Sequence, residues 1–240
     1  MKRYSKAIYW GLPISLILAI SIILHLGWIN AFDNFFEGLV HIVPNLKGLM
    51  LKITFLADTK VDLIWMVLIA VILWFRKQRP LATNLVLTMI TGDAVGWVIK
   101  HLIQRARPVP HLAVDDGFSF PSGHTLGMGM IVIWIIMVLL PVVLKDRTKR
   151  FWIDFLLIVW LVIVMISRVY VYAHYPSDVC GSVAIALTWV GVMQFVFEKI
   201  KNYKTRKFLG VNKIDKVSPE ALADFMQTIP SPESFDGIIP

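Results

Sequence analysis

The sequence predicts an all-α integral membrane protein: six transmembrane helices in a bundle, with a short interfacial helix between the first and second spans. Three observations predict it. Apolar residues make up 57% of the 240 and the mean hydropathy is +0.69, whereas an ordinary soluble domain holds roughly 45–50% apolar residues. Several apolar runs reach the length of about 20 residues that a helix needs to cross the hydrocarbon core. Finally, the basic residues cluster in segments that such helices would bring to one side of a membrane.

The first span is expected over residues 8–29, preceded by Lys2, Arg3 and Lys6. That basic start resembles a signal peptide, but its apolar run is long and no clear small-residue cleavage site follows, so a retained helix is expected. Around residues 46–53, Leu46, Leu49, Met50 and Ile53 share a helical face while Lys47 and Lys52 turn away, the pattern of a helix lying along the membrane surface. The second span, 63–75, has an unbroken run of only 13 residues. It gains length by extending back through Ala57 and by the snorkelling of Arg76. The third, 81–102, is the most polar and carries Thr88, Thr91, Asp93 and Lys100. Spans 125–144, 151–166 and 179–197 complete the six, making residues 1–207 the membrane domain. Residues 208–240 form a polar, largely flexible tail in which Ser218 and Pro219 have the pattern of a helix start.

The loop "KDRTKR" between the fourth and fifth spans carries Lys145, Arg147, Lys149 and Arg150 and therefore faces the cytoplasm. Both chain ends are then cytoplasmic, and the loops 103–120 and 168–178 face outward. Fifteen basic residues fall on the inner side and seven on the outer. Membrane topology thus accounts for the net charge of +8 without a nucleic-acid partner. The single cysteine, Cys180, excludes an internal disulfide and a multi-cysteine metal site. Its apolar surroundings read as packing.

Three polar segments meet on the outer side. "KHLIQRARP" places six residues between Lys100 and Arg107, "PSGH" ends at His124, and "SRVYVYAHYPSD" runs from Ser167 and Arg168 through His174 to Asp178. Arg107 and Arg168 offer forked guanidinium groups and Lys100 a compact charge, the set that grips phosphate oxygens. Ser122 and Gly123 open the fourth span, where free backbone N–H groups and the helix dipole favour an anion, and Gly123 admits close approach. This is a phosphate pocket that needs no metal ion. Two histidines can divide the chemistry, one attacking phosphorus and one protonating the departing oxygen. His174, with Asp178 four residues on to fix its tautomer, suits the nucleophile, and His124 suits the acid. Because Pro176 starts the next helix, the two are not one turn apart on a regular helix.

Other polar residues have plainer readings. Arg105 suits a lipid headgroup, and His25 and His41 suit the membrane interface. His101 and His111 lie near the pocket without a required role. Asp93, inside a span, is either a support residue for the site or a helix–helix hydrogen bond.

Taken together, the three segments resemble the signature of the type 2 phosphatidic acid phosphatase (PAP2) superfamily. That pattern is Lys, six residues, Arg-Pro; then Pro-Ser-Gly-His; then Ser-Arg, five residues, His, three residues, Asp. It is matched in order at 100–108, 121–124 and 167–178. The resemblance implies that Lys100, Arg107, Ser122, Gly123 and Arg168 hold the phosphate. It further implies that His174 becomes a phosphohistidine oriented by Asp178, that His124 is the general acid, and that Ser167 supports the pocket. It implies hydrolysis without metal or cofactor.

A pocket at the outer membrane–water boundary suits a lipid phosphate among membrane lipids as substrate. Outward-facing chemistry favours undecaprenyl pyrophosphate, with phosphatidylglycerophosphate or phosphatidate as the alternative. A lipid transporter or flippase is the reading from another class, and Asp93 is the feature that leans toward it.

Overall fold

A computed structural model describes residues 3–110 and 117–208. The expected tail helix at Ser218, and His111, lie outside the described residues. The chain divides into a compact unit, residues 1–197, and a second unit, residues 198–240. Every site residue discussed below belongs to the first, and the described residues of the second are helical.

The described residues are helical with no strand. The helices are α1 (Arg3–Ile23), α2 (Gly27–Val40), α3 (Lys47–Leu56), α4 (Thr59–Phe75), α5 (Arg79–Ile103), α6 (Gly123–Trp134), α7 (Leu140–Val143), α8 (Arg147–Tyr170) and α9 (Pro176–Phe208). Among the described residues, five stretches are long and apolar enough to cross a membrane: Tyr4–Ile23, Arg79–Ile103, Gly123–Val143, Arg147–Tyr170 and Pro176–Lys201. α4, the weak second span of the sequence, has 17 residues. At 1.5 Å per residue that is about 26 Å, just short of a hydrocarbon core of about 30 Å.

The structure departs from the sequence reading in three places. First, α1 ends at Ile23 rather than near residue 29, because the chain turns at His25, whose φ of 51° is left-handed. Second, two helices, α2 and α3, occupy the connection where a single short one was expected. α2 is more than a connector, since it buries Ile29 and an aspartate, Asp33. Third, a π-helical turn, Ile135–Leu139, joins α6 to α7. Pro141 follows it. Proline has no N–H and its ring crowds the preceding turn, and a widened turn relieves that conflict.

The core gathers residues of α4, α5, α6 and α9, with Leu85, Met89, Met130, Trp134 and Val190 all but inaccessible. Within it, Asn84 Oδ1 accepts hydrogen bonds from Trp134 Nε1 at 2.6 Å and Gln194 Nε2 at 2.8 Å, tying α5 to α6 and α9. α1 lies against α9 closely enough that a Cβ on Gly11 would stand 2.9 Å from the carbonyl oxygen of Ala184, so the contact requires glycine. At the other side, Tyr170 at the end of α8 pins the α2–α3 connection. Its hydroxyl donates to Val43 O at 3.1 Å and accepts from Leu46 N at 3.0 Å. His41 adds a contact from its Nε2 to Tyr170 O at 3.1 Å and stacks on Tyr170 and Tyr172.

Asn84→Ala leaves a buried indole N–H and a half-buried amide without their acceptor, at a cost of about 1–3 kcal/mol. The expected outcome is a lower thermal unfolding midpoint in detergent, with Asn84→Gln less affected than Asn84→Ala.

Candidate active site

Residues 117–119 offer their backbone carbonyls to the cations and the histidine of the motif. Gly117 O accepts from Arg107 Nε at 3.0 Å, and Phe118 O accepts from Lys100 Nζ at 2.9 Å. Ser119 O lies 2.7 Å from His174 Nδ1. The Ser119 hydroxyl donates to Asp178 Oδ2, and its backbone N–H donates to Arg105 O at 2.7 Å. Further on, Ser122 N donates to Ser182 Oγ at 2.8 Å, and Ser182 Oγ in turn donates to Asp178 O at 2.7 Å. One short loop therefore joins all three motif segments.

His174 sits in the turn between α8 and α9, buried. A carbonyl oxygen can only accept, so the bond to Ser119 O puts the ring proton on Nδ1 and the lone pair on Nε2. Nε2 faces Arg107 Nη1 at 3.3 Å, and Arg107 Nη1 also donates to Ala173 O at 2.9 Å. Asp178 Oδ2 is 3.8 Å from Nδ1, beyond hydrogen-bond length. The Ser119 carbonyl, from a residue outside the motif, thus takes the Nδ1 proton, with the Asp178 charge close behind it. Burial, with help from Arg168 and Arg107 against the opposing pull of Asp178, lowers the His174 pKa to about 4. The imidazole is neutral near pH 7, as a nucleophile must be.

Asp178 is held by a network that the sequence did not reveal. Its Oδ1 accepts from Arg105 Nη1 at 2.6 Å, and its Oδ2 accepts from Tyr175 N at 2.9 Å. Arg105 Nη2 reaches Asp33 Oδ2 of α2 at 2.6 Å, and Asp33 Oδ1 accepts from Ser177 N at 2.8 Å. Arg105 also lies over the Tyr175 ring at 4.1 Å. Burial opposes its charge, but the carboxylates of Asp178 and Asp33 outweigh that and raise its pKa further. Arg105 is therefore a structural clamp with two carboxylate partners, not the lipid-headgroup residue expected. Asp33 could not have been found by motif. The one available signal was an acid in a largely apolar helix that also carries Glu37.

On the other motif segment, Ser122 caps α6, its Oγ accepting from Thr125 N at 3.4 Å. A Cβ placed on Gly123 would meet Thr59 Oγ1 at 3.5 Å, an ordinary contact, so packing within this chain does not demand the glycine. His124 is buried, and its Nε2 lies 3.3 Å from Asp58 Oδ2, a carboxylate 66 positions earlier in the chain. Arg168 is fully buried, and its carbonyl accepts from the N–H groups of Ala173 and His174 at 3.1 and 3.3 Å, shaping the turn that carries the nucleophile candidate. Ser167 is buried between Val164 O and Thr54 Oγ1 of α3, which fits a supporting position. Asp93 is half-buried on α5 and acts electrostatically on the buried Asp62 of α4. His101 faces outward, its Nδ1 against Trp97 O at 2.8 Å on its own helix.

Residues 81–201, just over half of the chain, match the family model of the PAP2 superfamily. The chain belongs to the PAP2 superfamily. Among its PAP2 relatives, phosphatidylglycerophosphatase B of Bacillus subtilis is 26% identical over 203 residues, covering 81% of this chain and 98% of that protein. The undecaprenyl-diphosphatase of Sulfolobus acidocaldarius is 28% identical over 163 residues, covering 65% and 72%. The crystal structure of the transmembrane PAP2 phosphatidylglycerolphosphate phosphatase from Bacillus subtilis superposes with a TM-score of 0.70 at 26% identity, over 81% of this chain and 99% of that one. Aquifex aeolicus LpxE shares the fold at a TM-score of 0.52 and 17% identity. This PAP2 chain is a multi-pass membrane enzyme, a lipid phosphatase.

Two outcomes are expected from this geometry. Asp33→Ala leaves Arg105 and the Ser177 N–H short of a buried partner, and breaking such a pair costs about 3 kcal/mol. The unfolding midpoint should fall clearly, and Asp33→Asn, which retains an acceptor for Ser177 N, should fall less. The His174 ring resonance should titrate with a midpoint near 4 rather than at the ordinary histidine value of 6.5. The unfolded chain takes up that proton first, so this group's contribution to stability is complete above pH 6.5 and is lost as pH falls toward about 4.

Proposed function

We propose that the protein removes a phosphate from a membrane lipid at the outer face of the membrane, through a phosphohistidine on His174. The observation that carries the reading is the fixed tautomer: Nδ1 against Ser119 O at 2.7 Å, and Nε2 facing Arg107 at 3.3 Å. Nε2 attacks phosphorus while Lys100, Arg107, Arg168 and the N–H groups at Ser122 and Gly123 hold the oxygens. As the bond to the leaving oxygen breaks, His124 gives that oxygen a proton. Water then attacks phosphorus, His124 takes the water's proton, and the P–N bond breaks to release phosphate. Positioning and charge stabilisation supply most of the rate in such transfers, and three fixed cations fill the place a metal ion would take.

The lipid character of the substrate is supported by an apolar cavity of about 580 Å³, lined among others by Phe36, Leu39, Met50, Val162, Tyr170 and Cys180. It opens where α2 and α3 meet α8 and α9, and its lining residues Tyr170, Pro176 and Cys180 flank Arg168, His174 and Asp178 in the chain. Counting α4 as a sixth span puts both termini and the "KDRTKR" loop on the cytoplasmic side, in accord with the positive-inside bias. The motif loops then face outward. That side favours undecaprenyl pyrophosphate as substrate. Phosphatidylglycerophosphate is the second reading, favoured by the Bacillus subtilis relative that matches 81% of the chain.

The test is phosphate release by purified protein in EDTA from a panel of polyprenyl diphosphate, phosphatidylglycerophosphate and phosphatidate. His174→Ala is expected to reduce turnover by at least ~10³-fold, as loss of a covalent nucleophile does. Undiminished turnover in that variant would sink the mechanism.

A further inference from the structure

The amino end of α4 contributes a residue to the proton-donor side of the pocket. Asp58 is the N-cap of α4, its Oδ1 accepting from Lys60 N at 2.9 Å. Its other oxygen, Oδ2, stands 3.3 Å from His124 Nε2. The two oxygens thus have separate tasks. The His124 side chain is 10% exposed and that of Asp58 is 38% exposed, so one partner is sheltered and the other borders water. His124 is the second residue of α6, where the positive end of the helix dipole disfavours a cationic ring. A protonated imidazole there needs an opposing negative charge, and Asp58 is the carboxylate the structure sets against it.

We propose that Asp58 is the positioning residue of the proton donor, holding His124 Nε2–H so that the proton is delivered from Nδ1. The inference rests on the reading of His124 as general acid given above. In the first step the imidazolium carries protons on both nitrogens. The bond from phosphorus to the leaving oxygen breaks, the Nδ1 proton passes to that oxygen, and Nε2 of His174 bonds to phosphorus. His124 is then neutral, with Nε2–H still on Asp58 and a lone pair on Nδ1. In the second step water's oxygen bonds to phosphorus, its proton passes to Nδ1, and the P–N bond breaks. Asp58 never exchanges a proton, and its contribution is the orientation and charge of the ring.

Asp58→Asn is the informative variant, because asparagine caps a helix as well as aspartate does. It preserves the bond from Lys60 N while removing the charge that faces His124. The readout is dependence on the leaving group, compared between dodecyl phosphate and a dodecyl-substituted para-nitrophenyl phosphate. An alkoxide needs a proton to depart, whereas a nitrophenolate leaves without one. General acid assistance is worth about 10²–10⁴-fold, and loss of its orientation is expected to lower kcat/KM on the alkyl phosphate at least ~10-fold, with the aryl phosphate within ~2-fold of wild type. His124→Ala should show the same split, and adding Asp58→Asn to it should cause no further loss on the alkyl phosphate. Equal losses on both substrates would overturn the assignment, as would undiminished alkyl turnover. Should Asp58→Asn fail to fold, Asp58→Ser keeps the cap without the reach to His124 and carries the same comparison. Wild-type protein that hydrolyses neither substrate would overturn the phosphatase reading itself, a result distinct from the failure of Asp58.

Discussion

The site depends on the backbone carbonyls of Gly117, Phe118 and Ser119. Each accepts from one member of the motif: Arg107, Lys100 and His174 respectively. Carbonyl dipoles pointed at cations lower the cost of bringing positive charge together, and they do so without adding a negative group that would repel phosphate. The same loop orients the nucleophile candidate. Because Ser119 O can only accept, the His174 proton is confined to Nδ1 and the reactive lone pair is directed at the cations. A side-chain acid in that place could change protonation state, but a peptide carbonyl cannot.

A second constraint is the sharing of charge between Asp178, Arg105 and Asp33. A buried carboxylate beside His174 is tolerated only when paired and hydrogen-bonded. Asp178 meets that condition with Arg105, the Ser119 hydroxyl and Tyr175 N, and Arg105 has its remaining fork on Asp33. Asp33 then caps the start of α9 through Ser177. α2, which looked like mere connection, is coupled in this way to the geometry of the pocket.

The legibility of the sequence follows the range of the interactions. The span near residues 81–102, the long spans after "PSGH" and "KDRTKR", and Pro176 as a helix start are local patterns of hydropathy and backbone chemistry, and the structure has them within a few residues. The break at His25, the split of the connection into α2 and α3, and the π-helical turn before Pro141 were not legible. They reflect packing and backbone compromise among apolar residues whose hydropathy barely changes. In the site, the motif residues were legible because the spacing is diagnostic. Asp33, Asp58 and Ser119 were not, because each is an ordinary polar residue until the fold sets it beside a histidine or an arginine.

By itself the sequence determined that the protein is helical and membrane-embedded, and which cations and histidines make up the family's spaced pattern, since those properties reside in residue type and short spacing. Only the tertiary structure decided the partners. It gave His174 a backbone carbonyl as its nearest acceptor, gave Asp178 the Arg105–Asp33 clamp, and brought Asp58 to His124 across 66 positions of chain. The reason is physical. A side chain's chemistry is intrinsic, but its protonation and aim depend on which groups share its buried volume, and the packing of helices and loops sets those neighbours.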